Sequence, residues 1–246
     1  MASSSGTPTS ATRYERGRRP VGSGTVDISL AARARPVSSS RDQHLPVLPP
    51  LVPVLPGPGL PRGAVITVTG GQDSETGARR SGGGAGTLAF ALLAAASATG
   101  SWCAAVGTGD PGILAIAELG VDLDHLALVP WPGSAWPEVA ALLIDDMDVV
   151  LVCPPGRVRP GVARRLAARA RQRRAVLVIQ AGRETWPGGH DVQLTVEAGT
   201  WEGMDRGHGH LRERHVEVVT SGRGSAARSV RTRLRLPASS GAVTAG

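Results

Sequence analysis

The sequence predicts an α/β fold: a mainly parallel sheet flanked by helices, with a C-terminal antiparallel extension. Between residues 64 and 180, short apolar runs alternate with longer helical segments, which is the pattern of parallel strands joined by crossover helices. From Asp191 onward, apolar and polar residues alternate strictly between glycine turns, which is typical of antiparallel strands. The change of period places the antiparallel strands after the parallel ones in the chain.

The chain divides into four predicted regions. Residues 1–44 are rich in Ser, Gly and Arg without a sustained period, so we expect a disordered tail. Residues 45–61, LPVLPPLVPVLPGPGLP, hold too many prolines for an α-helix or a central strand, and we interpret them as an extended apolar strap across the domain. The folded domain spans residues 62–237, and residues 238–246 are predicted to be a flexible tail.

The individual elements follow from apolar runs, breakers and caps. The predicted parallel strands are Ala64–Thr69, Trp102–Val106, Leu126–Val129, Asp148–Cys153 and Ala175–Gln180. The predicted helices are an Ala/Leu-rich segment from Gly86 onward, Pro111–Leu119 before Gly120, a segment capped by Ser134 that reaches Met147, and Gly161–Arg173. The predicted antiparallel strands are Val192–Glu197, His215–Ser221 and Val230–Leu236.

Composition limits the classes of function. A net charge of +7 and a pI near 11.1 favour a polyanionic partner, although all 27 basic residues are arginine and the sequence contains no lysine. With 3% aromatic residues, a broad base-stacking platform is excluded. Cys103 and Cys153 lie far apart in apolar runs, as reduced core residues of a cytoplasmic protein do. No apolar run reaches the roughly 20 residues that span a bilayer.

A glycine loop between the first strand and the first helix has the order of a phosphate-binding loop. Its remnant consists of Gly82, Gly83, Gly84, Gly86 and Thr87. Such a loop needs a lysine for the outer phosphates and a Ser or Thr for magnesium. If Thr87 is the metal-binding residue, the lysine position falls on Gly86, so no register gives a working site. The loop is then either a flexible connector or a residual nucleotide contact, and no cofactor is predicted.

Several phrases together resemble the ATPase core of the RecA recombinase family, from about Gly59 to Leu236. They are GLPRG before the first strand, CAAVGTGDPG, ELGVDLDHLALV and the strand introduced by Asp148. The resemblance implies a catalytic glutamate where this chain has Gly109, with Asp110 one position away, and a magnesium-associated aspartate where it has Cys153. With the lysine also missing, we expect no ATP hydrolysis, because phosphoryl transfer depends on such positioned charges.

A RecA-like chain of this size with a degenerate phosphate loop and a proline-rich segment before its first strand is similar to the actinobacterial ImuA-type proteins. This resemblance implies a non-catalytic accessory of the SOS mutasome in mutagenic translesion synthesis, partnered by an inactive Y-family polymerase homologue and an error-prone C-family polymerase. Two alternatives remain open. A SulA-type cell-division inhibitor would bind a tubulin-like polymer, and an active DNA-dependent ATPase is what fold analogy alone would suggest.

Arginine supplies the positive chemistry of the chain. Eight arginines lie between Arg157 and Arg174, and the predicted contact candidates are Arg164 and the i, i+4, i+8 stripe of Arg165, Arg169 and Arg173. A second row, Arg231, Arg233 and Arg235, alternates along the last strand. Three interpretations of these arginines remain open: they contact DNA phosphates, they contact an acidic protein surface, or they are only a solvated surface. No metal site is predicted, because His208 and His210 sit in a glycine-rich turn apart from His215 and Asp205.

Overall fold

Short apolar strands build one sheet, whose arrangement is given by a computed structural model of the chain. The structure describes residues 43–70, 84–181, 186–197, 199–205 and 208–246. These residues belong to one compact unit, Ser38–Gly246, and the other unit, Met1–Val37, lies outside them. The predicted disordered tail, residues 1–44, is therefore almost entirely outside the described part of the chain.

The elements follow the chain in the predicted order, with additions at both ends. The strands are β1 (His44–Leu45), β2 (Leu60–Pro61), β3 (Val65–Gly70), β4 (Cys103–Val106), β5 (Leu126–Val129), β6 (Val149–Val152), β7 (Val176–Gln180), β8 (Val192–Val196), β9 (Thr200–Asp205), β10 (His208–Gly222), β11 (Val230–Arg235) and β12 (Thr244–Ala245). The α-helices are α1 (Ala85–Ala98), α2 (Ile113–Glu118), α3 (Trp136–Asp146) and α4 (Pro160–Arg173). Short 3₁₀ helices span Pro49–Val54, Leu123–His125, Gly133–Ala135 and Gly224–Ala226.

The large sheet is mixed and mostly parallel, which confirms the predicted α/β class. Six neighbouring strands, in the order β8-β3-β7-β6-β4-β5, are parallel. Strands β10, β11 and β12 continue the sheet beyond β8 in antiparallel fashion, and β9 pairs with β10. The predicted antiparallel strand Val192–Glu197 is thus wrong in part, because β8 pairs parallel with β3 and antiparallel only with β10. The change to antiparallel pairing comes one strand later than the change of period at Asp191 indicates.

Helix α1 packs on one face of the sheet and is buried on almost every side. Leu88, Leu92 and Leu93 are fully buried there, beside Ile66 and Val68 of β3. The helix ends where Thr99 bonds back to the last turn and Gly100 takes a positive φ of 88°, a conformation that glycine adopts without strain. In the part of the chain that the structure describes, no helix combines the length and apolarity needed to cross a membrane.

Helices α3 and α4 cover the opposite face of the parallel strands. Ile144 of α3 and Leu166 of α4 are fully buried against Val150 and Leu177 of the sheet. Helix α4 is amphipathic because Leu166 and three of its alanines are buried against the sheet, while its arginines face outward or toward α3. This arrangement places the arginine stripe beside the acidic C-terminal turn of α3.

The Pro/Leu strap, residues 45–61, packs on the domain but is not extended throughout. Its ends pair as β1 and β2, and its middle forms the 3₁₀ helix Pro49–Val54, which starts at prolines and tolerates Pro53. Leu51 and Val54 are fully buried in the core that also contains α1. The expectation of a fully extended strap is thus wrong for its central turn, because a 3₁₀ turn buries two apolar side chains at once.

The C-terminal half is more regular than the sequence indicates. Strand β10 is 15 residues long and starts at His208 rather than His215, because β9 pairs with its first half. The last nine residues differ from the predicted flexible tail: β12 pairs with β11, and Ala238 and Val243 are buried. These residues therefore belong to the folded domain.

Candidate phosphate site and arginine surfaces

The carboxyl ends of β3, β6 and β7 meet at one edge of the sheet, where α/β proteins hold their ligands. Cys153 follows β6, Gln180 ends β7, and the thiol of Cys153 donates a hydrogen bond to Gln180 Oε1 at 3.2 Å. A Cβ added at Gly86 would lie 3.2 Å from Gln180 Nε2. The structure therefore brings together Gly86, Cys153 and Gln180, of which the sequence singled out the first two.

This cluster is uncharged. Burial raises the pKa of the Cys153 thiol to about 12, so the side chain is neutral at pH 7. A neutral thiol beside an amide is a poor ligand for magnesium, which prefers carboxylate and other hard oxygen groups. Thr87 lies in the first turn of α1 and is half-buried, whereas Gly82 and Gly83 lie outside the described residues.

Gly84 starts α1 in the left-handed conformation, with φ of 84° and no side-chain cap. A Cβ at Gly84 would stand 3.4 Å from Nη1 of Arg214, which comes from β10 and is only 8% exposed. The Arg214 guanidinium also lies over the ring of Trp201, 5.6 Å from its centroid. Sequence reasoning missed Arg214, because the predicted strand began one residue after it; the alternation of β10 was the signal that could have found it.

Gly109 has a different environment from Cys153. It adopts a positive φ of 69°, and a Cβ there would lie 3.3 Å from the ring of Trp131, which follows β5. Gly107 is the residue packed on Cys153, since a Cβ at Gly107 would meet Cys153 O at 2.5 Å. Asp110 is exposed. The position matched to the catalytic glutamate thus faces an aromatic side chain.

The arginine stripe of α4 pairs with acidic residues of α3. The Arg169 guanidinium makes two contacts with the Asp145 carboxylate, one of them at 2.7 Å, and Arg173 Nε bonds to Asp145 Oδ1 at 3.0 Å. These hydrogen bonds lower the pKa of the Asp145 carboxyl to about 2, and the bond from Arg169 makes the largest contribution. Arg165 lies 3.7 Å from Glu138, whereas Arg164 is exposed and pairs with no acidic residue in the described part of the chain.

The arginine row of β11 lies among glutamates of neighbouring strands. Arg231 Nη1 donates to Glu197 at 2.9 Å and to Glu217 at 2.8 Å. Arg235 Nε is 3.8 Å from Glu213, and Arg233 stands opposite Glu217 in the ladder without an ion pair among the described residues. Alternation does place the row on one face, as predicted, but that face is balanced in charge.

The fold and this edge define an α/β domain in which the neutral cluster of Gly86, Cys153 and Gln180 lies at the carboxyl ends of the strands, with the Arg214 guanidinium beside Gly84. A family model described as the MT3502 N-terminal domain matches residues 53–188, more than half of the chain, and the chain belongs to this family. It is 43% identical over 106 residues to the uncharacterized protein Rv3395c of Mycobacterium tuberculosis (strain ATCC 25618 / H37Rv), covering 43% of this chain and 51% of that protein. The chain thus matches about half the length of this curated relative.

Proposed function

We propose that this chain is a non-catalytic RecA-like accessory protein of the SOS response, acting in the cytoplasm in error-prone translesion synthesis. The proposal assigns it an inactive Y-family polymerase homologue and an error-prone C-family polymerase as partners, with DNA as an additional ligand. The observation that carries it is the uncharged cluster of Gly86, Cys153 and Gln180 at the sheet edge. An ATPase of this architecture would need a magnesium-binding carboxylate and a phosphate-binding lysine at these positions, and the Arg214 guanidinium beside Gly84 cannot replace the carboxylate.

Protein contact is supported by the exposed outer strand of the sheet. Strand β5 pairs only with β4 among the described residues, and all four of its residues are partly exposed. Trp102, which precedes β4, contacts His125 at the start of β5 with the two rings tilted by 54° and their centroids 5.2 Å apart. Trp131 follows the end of β5 and has 77% of its surface exposed. Edge strands offer backbone groups for strand addition, and tryptophans are enriched at the centre of protein interfaces.

DNA contact is supported less strongly by the arginine surfaces. The residues Arg169, Arg173 and Arg231 already satisfy carboxylates within the domain. A DNA phosphate would have to replace those ion pairs. Arg164 and Arg233 form no ion pair with any described residue, so a phosphate could bind them without breaking one. Any DNA contact would therefore rest on fewer phosphates than the arginine count suggests.

The partner assignment is tested by pull-down from cells treated with a DNA-damaging agent. The intact chain is expected to capture the Y-family polymerase homologue, and Trp131→Ala is expected to weaken capture. The control is Trp201→Ala, since Trp201 is 43% exposed but lies on β9, away from β5. Capture of a tubulin-like polymer instead would support the division-inhibitor alternative and refute the proposal.

The enzymatic assignment is tested by ATP hydrolysis with and without single-stranded DNA. No turnover is expected from the purified chain. Turnover that copurifies with the chain and disappears on Gly86→Val or Thr87→Val would overturn the non-catalytic assignment, because only a functional phosphate loop would respond to both changes. Turnover insensitive to both variants would point to a contaminating ATPase and leave the expected result in place.

A further inference from the structure

The β9–β10 hairpin brings three metal-ligand side chains together. Glu202 on β9 and Glu213 on β10 are direct partners in the ladder, and His215 lies two residues along β10 on the same face. His215 Nε2 is 3.0 Å from Glu202 Oε1 and 3.3 Å from Glu213 Oε1. One potential ligand atom from each residue lies within 4.8 Å of the other two. This set shares only His215 with the histidines and aspartate that the sequence analysis considered.

Pairing with arginine accounts for only part of this arrangement, because Arg235 lies 3.8 Å from Glu213 but no arginine among the described residues pairs with Glu202. Two carboxylates directly opposite each other repel, so the ladder position is unfavourable unless a cation lies between them. The Nε2 atom of His215 is buried, yet it makes no hydrogen bond of acceptable geometry with any described residue. The three atoms therefore converge on a common point rather than bonding to one another.

The spacing fits a small divalent ion. Ligand atoms at about 2.0–2.2 Å from a tetrahedral zinc ion are roughly 3.3–3.6 Å apart. The separation of 3.3 Å between His215 Nε2 and Glu213 Oε1 lies in this range, and that of 3.0 Å to Glu202 Oε1 is slightly shorter. We propose that Glu202, Glu213 and His215 bind a zinc ion, with the fourth position open to water or to a partner's side chain. Glu202 is the exposed ligand, with 61% of its side chain accessible, so the open position faces solvent.

The neighbourhood of the site is compatible with this ion. Arg235 Nε lies 3.8 Å from Glu213 Oε1, beyond hydrogen-bonding distance, so that oxygen keeps its lone pairs for a metal, although the guanidinium charge lowers the affinity of the site for a cation. One imidazole with two carboxylates favours zinc and related first-row ions over magnesium, which prefers oxygen ligands alone. Bound zinc would tie β9, which pairs only with β10 among the described residues, to the main sheet.

The test is titration of the metal-free full chain with zinc chloride in competition with a chromophoric chelator. One zinc ion per chain is expected, and cobalt(II) substituted for zinc should give the visible absorption of a tetrahedral site. Glu202→Gln and Glu213→Gln should each weaken binding at least about 100-fold, since loss of an outer-shell partner alone costs about 10–100-fold. Because Glu202 is exposed, the Glu202→Gln variant should still fold, so weaker zinc binding by this variant would report loss of a ligand.

Two controls separate this site from other histidines. His210→Ala changes an exposed residue of the same hairpin, and His125→Ala changes a histidine that contacts a single carboxylate, Asp122. Both variants should bind zinc as the intact chain does. Absence of stoichiometric binding, or binding that survives both glutamate substitutions, would overturn the proposal and leave the three residues as an ion-pair cluster.

Discussion

The strap should contribute to stability as part of the core, and Leu51→Ala measures this. Leu51 is fully buried in the 3₁₀ turn, where its N–H bonds to Leu48 O at 2.8 Å. Removing a buried leucine side chain costs about 2–5 kcal/mol, because the cavity adds to the lost burial. With about 2–4 °C of melting temperature per kcal/mol for a domain of this size, a loss near 3 kcal/mol lowers Tm by roughly 6–12 °C.

The neighbouring Val52 provides a matched control for this experiment. It belongs to the same turn but is 40% exposed, so Val52→Ala should change the free energy of unfolding by no more than about 0.5 kcal/mol. Thermal melts followed by circular dichroism compare both variants with the intact chain. Equal melting temperatures for all three would show that the strap does not hold the core together, and would make its apolar residues available to a partner.

Three further predictions concern single interactions. Thr220→Val removes the hydroxyl that donates to a strap carbonyl at 2.6 Å and should cost about 1–3 kcal/mol in denaturant unfolding; an unchanged midpoint would contradict the bond. Asp145 has a lowered pKa, so its contribution to stability is complete above about pH 4 and lost as pH falls through about 2. Asp145→Asn should therefore lower Tm at pH 7 but not at pH 2, whereas the exposed control Asp146→Asn should leave Tm unchanged at pH 7. A difference in Tm between Asp145→Asn and the intact chain that is the same at both pH values would refute this. If DNA is bound as proposed, Arg164→Gln together with Arg233→Gln should reduce the slope of log affinity against log salt concentration by up to about two. Arg169→Gln together with Arg173→Gln should leave this slope unchanged, because both residues already pair with Asp145. The reverse result would show that the ion-paired stripe carries the DNA contact.

The parallel half of the fold was predictable because its strands are buried on both faces. Val149–Val152 and the first four residues of Val176–Gln180 are continuous apolar runs, and such runs indicate buried strands wherever they fall between helical segments. Both predicted strands began one residue too early, since Asp148 and Ala175 bond outside the ladder, and the first also ended one residue too late, at Cys153. The antiparallel strand Thr200–Asp205 was missed because glycine at position 203 and the surrounding charges break its alternation.

The site was less predictable, because its interactions join residues that are distant in sequence. Asp145 is 24 residues before Arg169, and nothing in either segment indicates that α3 and α4 would place them together. The same holds for Arg231 and Glu197, 34 residues apart. Periodicity correctly assigned the arginines to faces, but only tertiary packing shows that most of those faces carry their own carboxylates.

The family match and the structural domain have different extents. The match ends at residue 188, after β7, whereas the core that contains Leu51 and α1 continues into Leu194, Val218 and Leu234. Thr220 of β10 bonds to the strap, and Arg214 of the same strand reaches the start of α1. Removing the antiparallel strands would expose the apolar side of α1 and the strap to water. The antiparallel half is therefore a structural part of this domain, and any partner surface on it is held in fixed relation to the phosphate-loop position.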